Sequence, residues 1–189
     1  MDKLKRMHLL IIWHLGNVVA TLSKVERRFM KEKDARKILS EFLEHVHVND
    51  RQLASLKPPL EISGMKHGEL FFIDGLPAFA RSENVLFPTL TSPKILSALP
   101  KATVNMGAVP FVCNGADVMA PGIVGFEGDF GRDDFVVIVD ERHRKPLAMA
   151  VALFSSEEAK KLERGKVLKN VHYVGDNVWN LTKQLSQSK

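Results

Sequence analysis

An α+β fold in two consecutive units is what this sequence predicts. Three observations carry that expectation. Apolar residues at helical spacing occupy residues 23–44. From Leu60 onward short apolar runs alternate with turn signals. Pro100 then interrupts the chain between two such β-rich stretches. The length of 189 residues suits one large or two small domains with ample core.

The chain opens with Asp2-Lys3-Leu4-Lys5-Arg6 and then the apolar run from Met7 to Leu15. A basic start before an apolar run imitates an export signal. His8 and His14 interrupt the run, Gly16-Asn17 closes it, and no Ala-x-Ala cleavage site follows. It is also short for a membrane span. Residues 1–20 therefore read as an extension, either a helix docked on the body or residues upstream of a start near Leu22. No membrane partner is expected.

Ser23 and Glu26 have the spacing of a capping box, so a helix is expected from Ser23. Lys24, Arg27, Arg28, Lys31 and Lys33 make it basic. A second helix is expected over residues 34–44, with Ile38, Leu39, Phe42 and Leu43 as its apolar stripe. His45 and His47 would share one face of a strand, but no third ligand stands nearby, so no metal site is expected.

Lys57-Pro58-Pro59 ends the helical part. Residues 60–62 and 69–73 read as strands, and Asp74-Gly75 is a hairpin turn into a returning strand over residues 76–81. Pro77 cannot donate a ladder hydrogen bond, which places that strand at an edge. Residues 83–88 read as a connection back across the sheet. A short helix over residues 93–99 has Ser92 as its N-cap and Pro93 in its first turn.

The second unit starts with a strand over residues 102–104 and a short helix over residues 107–114. These lead into the stretch from Val112 to Val124, where Gly115, Pro121, Gly122 and short side chains lie between apolar residues. Pro121-Gly122 is a turn signal, and glycine permits close approach of a ligand. Gly122, Gly125, Gly128 and Gly131 recur every third residue. Prolines are too few for collagen and no strand–helix unit surrounds them, so they read as a flexible β-loop. Residues 135–139 are all apolar and predict a strand buried on both faces. Residues 147–154 form the next strand. The intervening hairpin loop carries Arg142, His143, Arg144 and Lys145. It is either a solvated turn or a phosphate contact. Ser155-Ser156-Glu157-Glu158 starts a capped helix running to about Arg164. Closing strands follow, with Trp179 in the core.

Composition is that of an ordinary globular protein, with 45% hydrophobic and 26% charged residues. The net charge is +5, of which residues 1–98 carry +4 and residues 99–189 carry +1. A polyanion site in the second unit must then rest on a local patch. Cys113 is the only cysteine. That excludes an intrachain disulfide, disfavours a cysteine metal site and suits a reducing compartment. Cys113 reads as a small core residue. No nucleophile elbow and no Walker sequence occurs, so no catalytic residue is nominated.

Gly115-Ala116-Asp117-Val118-Met119-Ala120-Pro121-Gly122-Ile123 resembles the signature of the PUA domain. This is the RNA-binding module named after pseudouridine synthases and archaeosine transglycosylases. The segment from Val104 to Val109 resembles the lead into that family's first helix, and the segment from Asn170 to Trp179 resembles its closing strands. Upstream, residues 21–99 resemble the pre-PUA domain of archaeal and eukaryotic PUA proteins, with Leu86-Phe87-Pro88-Thr89-Leu90 matching at its end. Those proteins include the malignant T-cell-amplified sequence family, which is associated with translation.

The resemblance implies an α+β pre-PUA domain over residues 21–99, a PUA β-pseudo-barrel over residues 100–182 and a polar tail over residues 183–189. It implies a non-catalytic, cytoplasmic RNA-binding protein without a cofactor, acting on tRNA or ribosomal RNA. The small ribosomal subunit or a translation factor is the implied partner. It points to Gly115, Ala116, Asp117, Met119, Pro121 and Gly122 as RNA-binding residues. Lys101, Arg142, Arg144, Lys145 and Lys166 are added from their charge and position as phosphate contacts. Asp117 would repel phosphate or accept hydrogen bonds from a base, and Met119 could equally plug the core. Catalysis does not carry over, because the synthase and transglycosylase catalytic domains are missing. Two other functions stay open: a protein-interaction adaptor docking through the basic first unit, and an accessory subunit that supplies RNA to a modifying enzyme.

Overall fold

The computed structural model describes residues 26–46, 53, 56–65 and 67–187. The readings of residues 1–20, Ser23 and His47 lie outside these. Where a basic helix was expected, Arg27–Phe29 forms strand β1. Tertiary partners override local helix propensity here. β1 pairs antiparallel with β2 (Leu60–Met65), and the Arg27 guanidinium reaches Glu61 at 3.0 Å and lies 4.0 Å from the centre of the Phe72 ring. Helix α1 (Glu32–Val46) follows, with Glu32 and Asp34 in its first turn, where the helix dipole favours acids. Ala35, Leu39, Phe42 and Val46 form its buried stripe. His45 lies on this helix, so it has no strand face to share with His47.

Strands β3 (Gly68–Ile73), β4 (Leu76–Ser82) and β5 (Val85–Pro88) complete a five-stranded sheet in the order β1-β2-β3-β4-β5. Asp74 and Gly75 have φ of 51° and 76°, the left-handed pair of a tight hairpin turn. Two expectations fail. β4 is an inner strand despite Pro77, and within residues 83–88, expected as a connection, Val85–Pro88 form the edge strand β5 after a turn at Glu83 and Asn84. Pro77 is tolerated because the register slips beside it: Phe71 faces Phe79 while Phe72 faces Pro77, so the missing donor falls at a bulge. β5 also ends opposite Phe79 and never flanks Pro77. Helix α2 (Pro93–Ala98) forms where expected, with Pro in its first turn, but Ser92 makes no side-chain cap.

The second sheet has six strands in the order β7-β11-β10-β9-β6-β8. They are β6 (Lys101–Val104), β7 (Val118–Met119), β8 (Ile123–Glu127), β9 (Phe135–Asp140), β10 (Pro146–Ala152) and β11 (Lys166–Tyr173). Its edges β7 and β8 are joined by the single 3₁₀ turn Ala120–Gly122. So short a link spans at most about 14 Å, which forces the sheet to curl into a pseudo-barrel. Short helix α3 (Val109–Val112) precedes β7. β9 is buried on both faces, as its composition predicts. Val136 and Ile138 point into the barrel, whereas Phe135, Val137 and Val139 join the core shared with the first unit.

Three readings in this half are corrected. Part of the glycine-rich loop is strand β8, held by pairing with β6. The helix expected over residues 155–164 is only α4 (Ser156–Ala159). Its capping box forms, but Lys161 and Leu162 bond three residues back, to Glu158 and Ala159, and this tighter winding ends the helix. After β11 the chain forms helix α5 (Asn177–Gln187) in place of further strands, and the helix continues through most of the supposed polar tail. Asp176 starts it by accepting from the Trp179 amide at 2.7 Å, and Val178, Leu181 and Leu185 pack on the shared core. Trp179 is only half-buried, with the Lys183 ammonium 5.7 Å from its ring centre.

Candidate nucleic-acid interface

The stretch from Val112 to Gly122 runs along the outer side of β11. Asn170 of β11 holds it by donating from Nδ2 to the carbonyls of Val112 at 3.0 Å and Ala116 at 3.1 Å. Asp117 closes the clamp by accepting from the Asn170 amide at 2.9 Å. Gly115 sits at φ 83°, and a Cβ there would meet the Tyr173 ring at 2.8 Å. Glycine is therefore required twice over, by conformation and by space. On the far side of the turn, Asn105 donates twice to the same stretch of chain. Its amide reaches the Gly122 carbonyl at 2.9 Å, and its Nδ2 reaches that of Pro121 at 3.3 Å. The loop backbone is thus tied at both ends.

Asp117 is ion-paired to Lys166 at 2.5 Å. Burial alone would raise its carboxyl, but the Lys166 ammonium and the Asn170 amide outweigh that and hold it below its ordinary value. The acid thus positions a cation, which removes much of the expected repulsion. Met119 stands opposite Lys166 in the strand register and is 47% exposed, so it is not a core plug. Phe111 of α3 is 67% exposed, and its carbonyl accepts from the amides of Asn114 and Ala116. An aromatic ring presented to solvent on a fixed backbone offers a stacking surface for an unpaired base. Sequence reasoning missed Phe111 and Asn170. Phe111 left one trace, an aromatic residue in a short segment already dense with apolar neighbours.

The nominated cations do not all gather at the loop. Lys166 does. Arg142, Arg144 and Lys145 sit on the β9–β10 hairpin, whose backbone is gathered around the nearly buried Asp140 carboxylate. That carboxylate accepts from the amides of Arg142 at 3.0 Å, His143 at 2.5 Å and Lys145 at 2.9 Å, which hold it below its ordinary value. The hairpin meets the loop region through Glu141, which accepts from the Met106 amide at 2.8 Å. Arg144 is committed to Glu127 and Thr103. Lys101 lies at the opposite end of β6 from this hairpin. Cys113 is half-buried and its thiol is pushed up by burial, which keeps it protonated and poorly nucleophilic.

Residues 100–174 match the PUA domain family, and residues 26–92 match a domain of unknown function, DUF1947. Uncharacterized protein MJ1432 of Methanocaldococcus jannaschii is 38% identical over 158 residues, covering 82% of this chain and 96% of that protein. The chain belongs to the PUA-domain family. Malignant T-cell-amplified sequence 1 of Rattus norvegicus is 30% identical over 136 residues, covering 69% of this chain and 75% of the relative. Translation machinery-associated protein 20 of Saccharomyces cerevisiae is 30% identical over 121 residues, covering 60% and 67%. The crystal structure of a PUA domain from Aeropyrum pernix K1, a tartrate complex, superposes with a TM-score of 0.71 at 28% identity, covering 85% of this chain and 92% of that one. The PUA signature loop here is Gly115 to Ile123, joined to β11 by the Asn170 clamp.

Proposed function

We propose that this PUA protein binds structured RNA, tRNA or ribosomal RNA, without catalysing a reaction on it, and serves translation in the cytoplasm at initiation or ribosome recycling. One observation carries the RNA reading: a rigid loop of small residues, Gly115 to Gly122, lies open between an exposed aromatic ring, Phe111, and a cation, Lys166. Backbone groups and phosphate contacts position an RNA without reading much sequence, so recognition depends on shape or an exposed end. Kinship with translation machinery-associated protein 20 supports the translation role.

Binding of total tRNA by fluorescence anisotropy at two salt concentrations tests the reading. Affinity should fall as salt rises. Ala116→Glu, at an exposed position, should weaken binding about tenfold by placing a new charge against phosphate. Gly122→Glu is a less clean probe, because its Cβ would stand 3.2 Å from the Ala108 methyl. Undiminished tRNA binding by a folded Ala116→Glu protein overturns the site. The adaptor reading has its own observation: Phe29 is 69% exposed on edge strand β1, beside Arg28 and Lys31. A protein captured through Phe29, with no tRNA bound at low salt, would favour it.

A further inference from the structure

Strand β11 faces two ways. Asn170 stands opposite Ala150 in the register and His172 opposite Met149, so Val171 between them is an extra, bulged residue. In a regular strand Asn170 and His172, two apart, would share a face. The bulge re-aims the second of them. Asn170 therefore clamps the loop, while His172 turns with Met149 toward the first unit. The contact between the units is built largely of apolar side chains, with Phe135, Val137, Val139 and Met149 of the barrel joining the core of the first unit. Into it His172 brings a fully buried imidazole, its ring centre 5.5 Å from that of Phe87.

Both hydrogen-bond partners of this ring are fixed. On one side the Leu90 amide donates to Nε2 at 3.3 Å. That amide is held in place because its neighbour Thr89 is tied to β4. The Thr89 amide donates to the Ala78 carbonyl at 3.0 Å, and its hydroxyl donates to that of Pro77 at 3.2 Å. On the other side Nδ1 lies 2.7 Å from the Asp176 carboxylate, which also accepts from the amides of Tyr173 at 3.1 Å and Trp179 at 2.7 Å. An amide only donates, so the Leu90 bond requires a bare Nε2. Of the described groups facing the ring, Met149, Phe87, the Leu90 amide and Asp176, only the last is charged.

We propose that His172 is a proton-operated latch between the two units. A proton added at Nε2 turns the acceptor into a donor aimed at another donor. That breaks the bond to Leu90 and frees the first unit to shift against the barrel. Reversing the ring offers no escape, since it would set carbon against both partners. The Asp176 carboxylate supplies the counter-charge and keeps its bonds to the Tyr173 and Trp179 amides, so the start of α5 stays in place. The device separates two events. Release of the seam needs a protonated imidazole, and loss of the helix start needs a protonated carboxylate.

NMR of the full chain tests this from about pH 8 to about pH 5.5, the span in which an ordinary histidine gains its proton. The ring nitrogens report the tautomer and protonation of His172. Amide exchange, expressed as a protection factor to remove its intrinsic pH dependence, reports the latch. At the upper pH His172 should carry its proton on Nδ1. On acidification it should protonate, and Leu90 protection should fall about tenfold, while the Trp179 and Asn180 amides bonded to Asp176 keep theirs. His172→Gln, which can accept and donate but gains no proton, should hold Leu90 protection level across the same range. An imidazole still neutral at the lower pH overturns the latch, as does one that protonates with Leu90 protection unchanged. A fall in the His172→Gln protein equal to that in wild type overturns it too, by placing the loosening elsewhere. If that variant does not fold, the wild-type spectra decide the matter alone.

Discussion

The two sheets of this protein fill their interiors with different materials. In the first unit the core is aromatic. Phe42 stacks on Phe79 at 4.3 Å, and Phe71 stacks on the other side at 4.9 Å. In the barrel the inward positions of β10 are Ala148, Ala150 and Ala152, facing Val136 and Ile138. A helix lying on an open sheet leaves a thick gap that large rings fill. A sheet curled on itself leaves a narrower interior, filled mostly by alanine and valine, with Phe130, Ile138 and Leu168 as its larger members. The difference also decides where a ligand can sit. The aromatic layer is closed by α1, while the barrel opens at its joined edges, where Gly115 to Gly122 crosses.

Truncation on the aromatic side should have the largest effect. Phe79→Ala removes the middle of the three-ring stack from a fully buried site. It should cost about 3–5 kcal/mol in urea unfolding. The protein that remains folded should bind tRNA as before. Enlarging the barrel interior tests the opposite limit. Ala150→Leu at a fully buried position should cost about 1–3 kcal/mol by overpacking. Because Ala150 pairs with Asn170, it should also displace the loop clamp and weaken tRNA binding. Unchanged tRNA affinity would mean that barrel and loop are not coupled.

A smaller effect should appear at the seam between the units. His172 is fully buried and shares a hydrogen bond with Asp176 at 2.7 Å, while its Nε2 accepts from the Leu90 amide at 3.3 Å. An amide only donates, so Nε2 is the acceptor and Nδ1 carries the proton toward Asp176. Burial alone would raise the Asp176 carboxyl, but His172 and the Trp179 and Tyr173 amides hold it below its ordinary value. A depressed carboxyl stabilises fully above its unfolded pKa and loses that contribution as pH falls through the folded one. The urea midpoint should therefore drop on acidification through the carboxylate range, and Asp176→Asn should flatten that drop. A parallel pH profile for the variant would remove Asp176 from the account.

Much of the fold was legible from residue patterns. Asp74-Gly75 and the all-apolar run of β9 announce themselves locally, and so does the loop signature. What stayed hidden depends on partners far away in sequence. Nothing near Arg27 or Phe29 says strand; Ser63 and Glu61 decide it. Asn170 is an ordinary polar residue until the fold sets it beside Val112 and Ala116. Arg144 looks available for phosphate until Glu127 is found against it. Residues 177–179 read as the end of the closing strands and residues 183–189 as a polar tail; only the fold shows Asp176 capping a helix there that runs on to Gln187.

The most direct test of the central claim is amide hydrogen exchange across the whole chain, with and without total tRNA. Added tRNA should slow exchange at Phe111 through Gly122 and along β11, while the strands β2 to β4 stay unchanged. Slowing confined to the first unit, around Phe29 and α1, with an unaltered Gly115 to Gly122 loop, would contradict it and put the binding surface on the aromatic side of the molecule.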